Sequence, residues 1–192
     1  MSGYRFKIAD TEGELEQVHR LNHRTFAEEM GQLPPDPSGR LVDPFHAENA
    51  YAVCLAGTRV VGMVCARDRR PFSLDRKLPD LDAHLPPHRT AVEIRLLAVE
   101  REHRTPQVLR GLLRRLAAHC VGRGHDLAVI SGYLGQARLY EHLGFVPFGP
   151  LVGTPPALFR PMYLDEAAFR RLASRVDLVP GASRRGRAPE AP

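Results

Sequence analysis

Two charged side chains interrupt a stretch that would otherwise be wholly apolar. Glu93 and Arg95 stand two residues apart in the run Ala91–Val99. On a strand, that spacing puts both on one face. A carboxyl group withdrawn from water there becomes less acidic and can accept a proton near neutral pH. A carboxylate–guanidinium pair held only for structure fits the same pattern. A few residues on, Arg101, His103 and Arg104 crowd the turn before Thr105-Pro106. Thr is a favoured N-cap and Pro suits the first helical position, so a helix begins here. The free N–H groups and partial positive charge of its first turn suit a phosphate. The same residues also describe an ordinary capped helix behind a solvated basic turn.

The elements that must position these groups are legible in outline. Tyr4, Phe6 and Ile8 alternate as on a strand. Thr11-Glu12-Gly13-Glu14 has the spacing of a capping box. The helix it opens carries Leu15, Val18, Leu21 and Phe26 near one face and stops around Gly31. Residues 33–44 hold four prolines and read as a loop. The apolar runs 50–56 and 59–66, joined by Gly57-Thr58, read as a hairpin. Residues 68–90 form a polar loop of a length that is usually functional in a compact domain. After the strand at 91–99, the helix from Pro106 shows a stripe recurring every four residues: Val108/Leu109, Leu112/Leu113, Leu116/Ala117 and Cys120/Val121. Residues 122–124 end it. A strand at 127–130, a helix at 136–143 capped by Gly144, strands at 145–148 and 158–164, and a helix at 165–176 complete the order. This is a mixed α/β sheet with helices on both faces. Residues 1–176 are expected to form one domain, and residues 177–192 a disordered basic tail.

Composition narrows the function classes. There is no apolar run of membrane-spanning length and no secretory signal, so a cytoplasmic protein without a membrane span is expected. The net charge of +5, carried almost wholly by arginine, suggests an acidic partner. Nucleic acid is not expected to be that partner: no arginine stripe interleaves with aromatics, and no helix-turn-helix or zinc spacing is present. Cys54, Cys65 and Cys120 fit neither a disulfide framework nor a zinc motif and read as core thiols. His19 and His23 lie four apart, as in metal sites, but lack a following Glu and a third ligand. No metal is expected, and both read as exposed.

Two segments in this order resemble the GNAT superfamily of acyl-CoA-dependent N-acyltransferases. Ala137, Leu139, Tyr140, Gly144 and Phe145 match its A-x-x-L-Y-x-x-x-G-F pattern. Leu97, Val99 and Arg104 match its L-x-V-x-x-x-x-R. Within the superfamily, N-acyl amino acid synthases and acyl-homoserine-lactone synthases are similar in further cues: Arg24-Thr25-Phe26, Glu93-Ile94-Arg95 and Phe159-Arg160-Pro161-Met162. The resemblance implies a central mixed, mostly antiparallel sheet of about seven strands. It also implies transfer of an acyl group from a pantetheine thioester to the amine of a small molecule, an amino acid being one candidate. No tightly bound cofactor is implied; acyl-CoA or acyl-phosphopantetheine would be a co-substrate. Where the superfamily has small residues around the pyrophosphate, this chain has Thr105, Gln107 and Leu109. That departure points away from a tight wrap around coenzyme A's pyrophosphate and toward the single phosphate of an acyl carrier protein's arm, and both donors stay open. It also admits a non-catalytic acyl-CoA-binding domain.

For the reaction, Glu93 is expected as general base, and the resemblance makes Tyr140 the acid toward the departing sulfur. The donor would be held by Leu97, Ala98, Val99, Arg101, His103, Arg104, Thr105, Gln107 and Val108. Backbone N–H groups around residues 97–99 would hold the thioester carbonyl if the strand bulges. Arg24, Phe26, Glu29 and Arg95 are candidates for the acceptor site, with Arg24 or Arg95 taking an amino acid's carboxylate bidentately.

Overall fold

A computed structural model describes residues 3–155 and 157–174. One sheet of eight strands organises them: β1 (Tyr4–Ile8), β2 (Asn49–Ala56), β3 (Arg59–Arg67), β4 (Ala91–Val99), β5 (Leu127–Tyr133), β6 (Val146–Pro147), β7 (Val152–Thr154) and β8 (Ala157–Leu164). The order across the sheet is β1-β2-β3-β4-β5-β8-β6, with β7 also on β8. Only β4 and β5 run parallel; every other pairing is antiparallel. The expected mixed sheet is therefore present, with the short β7 as the strand that periodicity does not reveal.

Helices cover both faces. On one lie α2 (Pro106–Gly122) and α4 (Glu166–Ser174), with α3 (Ala137–His142) at the far end. The α2 stripe of Val108, Leu112, Leu116, Ala117 and Cys120 is fully buried against Ala52, Val61, Val64 and Val92. Thr105 caps α2 as its sequence requires, its Oγ1 accepting from the Val108 N–H at 3.3 Å. Gly111 is set by packing: a Cβ there would stand 2.2 Å from the Phe6 ring of β1. Truncating a stripe residue such as Leu116 to Ala is expected to cost about 2–5 kcal/mol.

The opposite face carries α1 (Glu12–Asn22) and the segment between β3 and β4. Val18 and Leu21 of α1 pack on Tyr51, Val53, Leu55, Met63 and Cys65. Phe72, Leu74, Leu78 and Leu81 of the long loop pack on Leu127 and Val129. Half of the capping box forms: Thr11 Oγ1 accepts from the Glu14 N–H, while the Glu14 carboxylate reaches one residue further back and accepts from the Asp10 N–H rather than that of Thr11. Directly after α1, residues His23–Glu29 wind as a π-helix, with the Met30 N–H bonded five residues back to Thr25.

The histidine expectation is corrected. His19 and His23 are buried, 5% and 3% exposed. The His19 ring stands 4.5 Å from that of His46, and His23 Nε2 accepts from the Asp36 N–H. They turn inward because the loop after α1 folds back over that helix. Among the described residues no cluster of metal-ligating side chains occurs, and no helix is long and apolar enough to cross a membrane. All three cysteines are buried, and burial pushes the Cys54 and Cys120 thiols up to about 12. The expected tail at 177–192 lies outside the described residues.

Candidate active site

The site begins where β4 and β5 part. They pair only at Ala91↔Leu127, Val92↔Ala128 and Glu93↔Val129. Beyond that point β5 stays with β8 as far as Tyr133↔Phe159, while β4 stays with β3 as far as Gly62↔Val99. A notch opens between them. At its edge β4 bulges: Leu96 and Leu97 together oppose Val64, between the pairs Cys65↔Arg95 and Met63↔Ala98. Leu96 sits at φ 56, a left-handed conformation that costs a branched residue about 1–2 kcal/mol and tends to cluster at functional sites. At the end of β4 the Glu100 N–H bonds Val61 of β3 at 2.9 Å. The carbonyl of the same peptide, on Val99, therefore faces the open side, where Arg104 Nε donates to it at 3.0 Å.

One side of the notch belongs to Tyr140. Its ring lies on Gly132 of β5, so closely that a Cβ at 132 would meet it at 2.9 Å. Its hydroxyl donates to Gln136 Oε1 at 3.1 Å. Burial raises its pKa above the tyrosine norm, with a backbone hydrogen bond from Tyr133 opposing. The phenol is thus held in its protonated form. Leu97, Val99 and Val108 contribute to the core on this side, and Ala98 is buried on the other. Thr105 and Gln107 are exposed at the start of α2.

The basic turn closes this end. Arg104 pairs with Glu29 at two points, 2.6 and 2.5 Å, and Arg101 stands 3.9 Å from the same carboxylate. Glu100 takes Arg24 and Arg59, each at 3.0 Å. His103 bonds the Tyr4 hydroxyl at 2.8 Å. A groove of about 390 Å³ is lined by Arg24, Glu29, Arg59, Val99 and Arg101. Arg24 and Glu29, placed by sequence reasoning with the acceptor, thus stand beside the phosphate-suited turn. The π-helical winding turns them toward Glu100 and Arg104. Phe26 packs into the α1 core.

On the opposite side, Glu93 is 1% exposed and takes three hydrogen bonds from the long loop. Its donors are Ser73 N–H (2.9 Å), Ser73 Oγ (2.6 Å) and Leu74 N–H (3.0 Å). These use three of roughly four lone-pair positions on the carboxylate. Arg95 Nε is 3.9 Å away, so its charge is met elsewhere. Both terminal nitrogens of Arg95 contact Asp43, at 3.1 Å each, and Asp43 also accepts from the Phe45 N–H and Asn49 Nδ2. The Phe45 ring lies under three guanidinium groups, with Arg67 at 3.5 Å, Arg95 at 5.0 Å and Arg76 at 5.4 Å. Lys77 reaches across from the loop to β5 and β8, its Nζ 3.3 Å from Ser131 Oγ and 4.4 Å from the Phe159 ring centre.

Sequence reasoning did not single out Asp43, Phe45, Ser73 or Lys77. The available signal was an acid and an aromatic inside one proline-rich loop, and the unusual length of the other. The arrangement leaves a slot between two strands, with a phenol on one side and charged groups on the other. A thioester and an amine could meet there from opposite faces of the sheet.

The family model described as N-acyl amino acid synthase FeeM matches residues 17–165. No curated sequence matches the chain. The fold is similar to that of BjaI, a CoA-dependent acyl-homoserine lactone synthase, with TM-score 0.75 and 23% identity over 91% of this chain and 90% of that one. It is also similar to FeeM, an N-acyl amino acid synthase from uncultured soil microbes, with TM-score 0.67 and 14% identity over 88% and 94%. Escherichia coli ElaA shares it at TM-score 0.60 and 15% identity over 86% and 100%. The chain belongs to the N-acyl amino acid synthase FeeM family, and it is an acyltransferase that moves an acyl group to an amine.

Proposed function

We propose that the donor is an acyl thioester of coenzyme A seated in the notch between β4 and β5, and that the acceptor is the amine of an amino acid. The divergence of these strands after Glu93 and Val129 carries the reading. It leaves an edge of β4 free of a strand partner, able to pair with the amide groups of a pantetheine arm. N–H groups at the Leu96–Leu97 bulge are then available to a developing oxyanion. In support, BjaI is CoA-dependent and is described with SAM and isopentyl-CoA.

In the reaction, the amine nitrogen attacks the thioester carbonyl carbon and the C–S bond breaks. The proton leaving nitrogen passes toward Glu93, through the acceptor position its loop bonds leave open. Tyr140 supplies its phenolic proton to the departing thiolate. Arg101, Arg104 and the first turn of α2 face the donor's phosphate. A second reading, an acyl carrier protein as donor, is favoured by Thr105, Gln107 and Leu109, which replace residues small enough to close around a pyrophosphate.

Thiol release, with mass analysis of the product, tests both donors against a panel of amino acids. Amino-acid-dependent thiol release from acyl-CoA is expected. Release only from the acyl carrier protein thioester would select the second reading, and release from neither would sink both.

A further inference from the structure

The two arginines that sequence reasoning offers to an acceptor carboxylate both have a carboxylate partner. Arg95 is held at two points by Asp43, which an incoming carboxylate would have to displace, and the charge of Arg24 is met by Glu100 beside the donor turn. Lys77 is differently placed. Among the described residues it makes no ion pair; its ammonium touches only the Ser131 hydroxyl and the face of Phe159.

Its position follows from the loop that carries it. Glu93 pins Ser73 and Leu74 to β4. The Leu74 carbonyl then accepts from the Lys77 and Leu78 N–H groups at 3.0 and 2.9 Å, closing a turn. Leu78, buried, fastens that turn to the core. Ser131 lies two residues past Val129, the last β5 residue paired with β4, and so on the same face as Glu93. The ammonium therefore sits at the mouth of the notch, on the side away from Tyr140. The neighbouring Arg76, stacked on Phe45, likewise has no carboxylate partner among the described residues and adds to the positive field.

We propose that Lys77 and the Ser131 hydroxyl bind the carboxylate of the acceptor, setting its amine toward the notch, and so select amino acids over simple amines. The bond between Lys77 and Ser131 is long at 3.3 Å; a carboxylate can take one hydrogen bond from each. The residue as a whole is exposed, yet withdrawal from water pulls the ammonium's pKa below the lysine norm, with Glu93 opposing and Arg95 reinforcing. An ammonium without a counter-ion gains from an incoming anion.

This proposal rests on the amino-acid reading above, and its test separates the two. Steady-state kinetics are measured, with whichever of the two thioester donors releases thiol, for a panel of α-amino acids, each against its carboxamide. For the wild type, kcat/KM is expected to favour the acid by tenfold or more. In Lys77→Ala the acid's KM rises about tenfold, while the amide's KM and the donor's KM hold. Lys77→Arg retains part of the preference, and Ser131→Ala loses a smaller part. An unchanged acid-to-amide ratio in Lys77→Ala overturns the proposal and leaves the acyl transfer standing. A wild type that acylates amides as well as acids does the same. A wild type that acylates no amino acid removes the acceptor reading and this site together.

Discussion

Glu29 grips Arg104 at two points, and Arg104 in turn caps the Val99 carbonyl on the open edge of β4. The cation best placed for a donor phosphate is thereby neutralised, and the edge best placed for pantetheine is occupied. A donor has to exchange both contacts. Glu29→Gln removes the competing charge, and donor KM should fall roughly three- to tenfold at low salt, with the gain shrinking as ionic strength rises. The pair is a third or more exposed on each side (33% and 41%), so stability should change by no more than about 1 kcal/mol. A donor KM that rises would show that Glu29 orders Arg104 for the phosphate rather than competing with it.

Tyr140 is best tested together with the glycine beneath it. Tyr140→Phe keeps the ring on Gly132 and removes the proton, so kcat should fall roughly 100-fold or more while donor KM holds. Because burial raises the phenol's pKa above the tyrosine norm, the group stays protonated through neutral and mildly alkaline pH. Any loss of rate on its account appears only beyond that range. Gly132→Ala leaves the hydroxyl in place but drives a methyl into the ring at 2.9 Å. It should lower kcat by displacing the acid, with a stability cost of about 1–3 kcal/mol. Normal kcat in both variants would take Tyr140 out of the chemistry.

These contacts differ in how far the chain announces them. The Thr105-Pro106 start, the α2 stripe and the Gly57 hairpin are local: the residues that set them are neighbours in sequence, so periodicity and capping reveal them. Tyr140 is legible because its neighbours Ala137, Gly144 and Phe145 form a recurrent pattern. Glu93 and Arg95 are visible as charges in an apolar run, but their partners are not. Ser73 lies 20 residues and Asp43 52 residues away in sequence, inside loops with no periodicity. Nothing local could foretell that Arg95 pairs with Asp43 rather than Glu93, nor that His19 and His23 turn inward.

The bond from Ser73 Oγ to Glu93 makes that carboxylate a strut as well as a candidate base, and the two roles can be pulled apart. Ser73→Ala deletes one charge-assisted bond and keeps the two backbone ones. It should cost about 1.5–3 kcal/mol, lowering Tm by several degrees, and it loosens the Lys77 turn. Glu93→Gln keeps the side chain's shape but removes its charge and turns one acceptor into a donor facing the loop. Its kcat should fall by about 100-fold or more, well beyond the effect of Ser73→Ala. If the two variants lose the same activity for the same loss of Tm, Glu93 serves only to hold the loop.

The other end of that loop is fixed by Asp126, immediately before β5. Its carboxylate accepts from the Thr90 N–H at 2.9 Å, the Arg89 N–H at 3.0 Å and Arg89 Nε at 3.1 Å. Burial alone would raise its pKa, but these hydrogen bonds outweigh it and hold the group at about 2. The folded value lies below the unfolded one of about 3.9, so the unfolded chain takes up the proton first as pH falls. The stabilisation is complete above about pH 4 to 5 and is lost on the way down to about pH 2. Asp126→Asn should therefore be less stable than wild type at neutral pH by about 1–3 kcal/mol. Urea midpoints should show that gap closing steadily below about pH 4. A gap that stays constant across that range would mean that Asp126 contributes through packing and not through its charge.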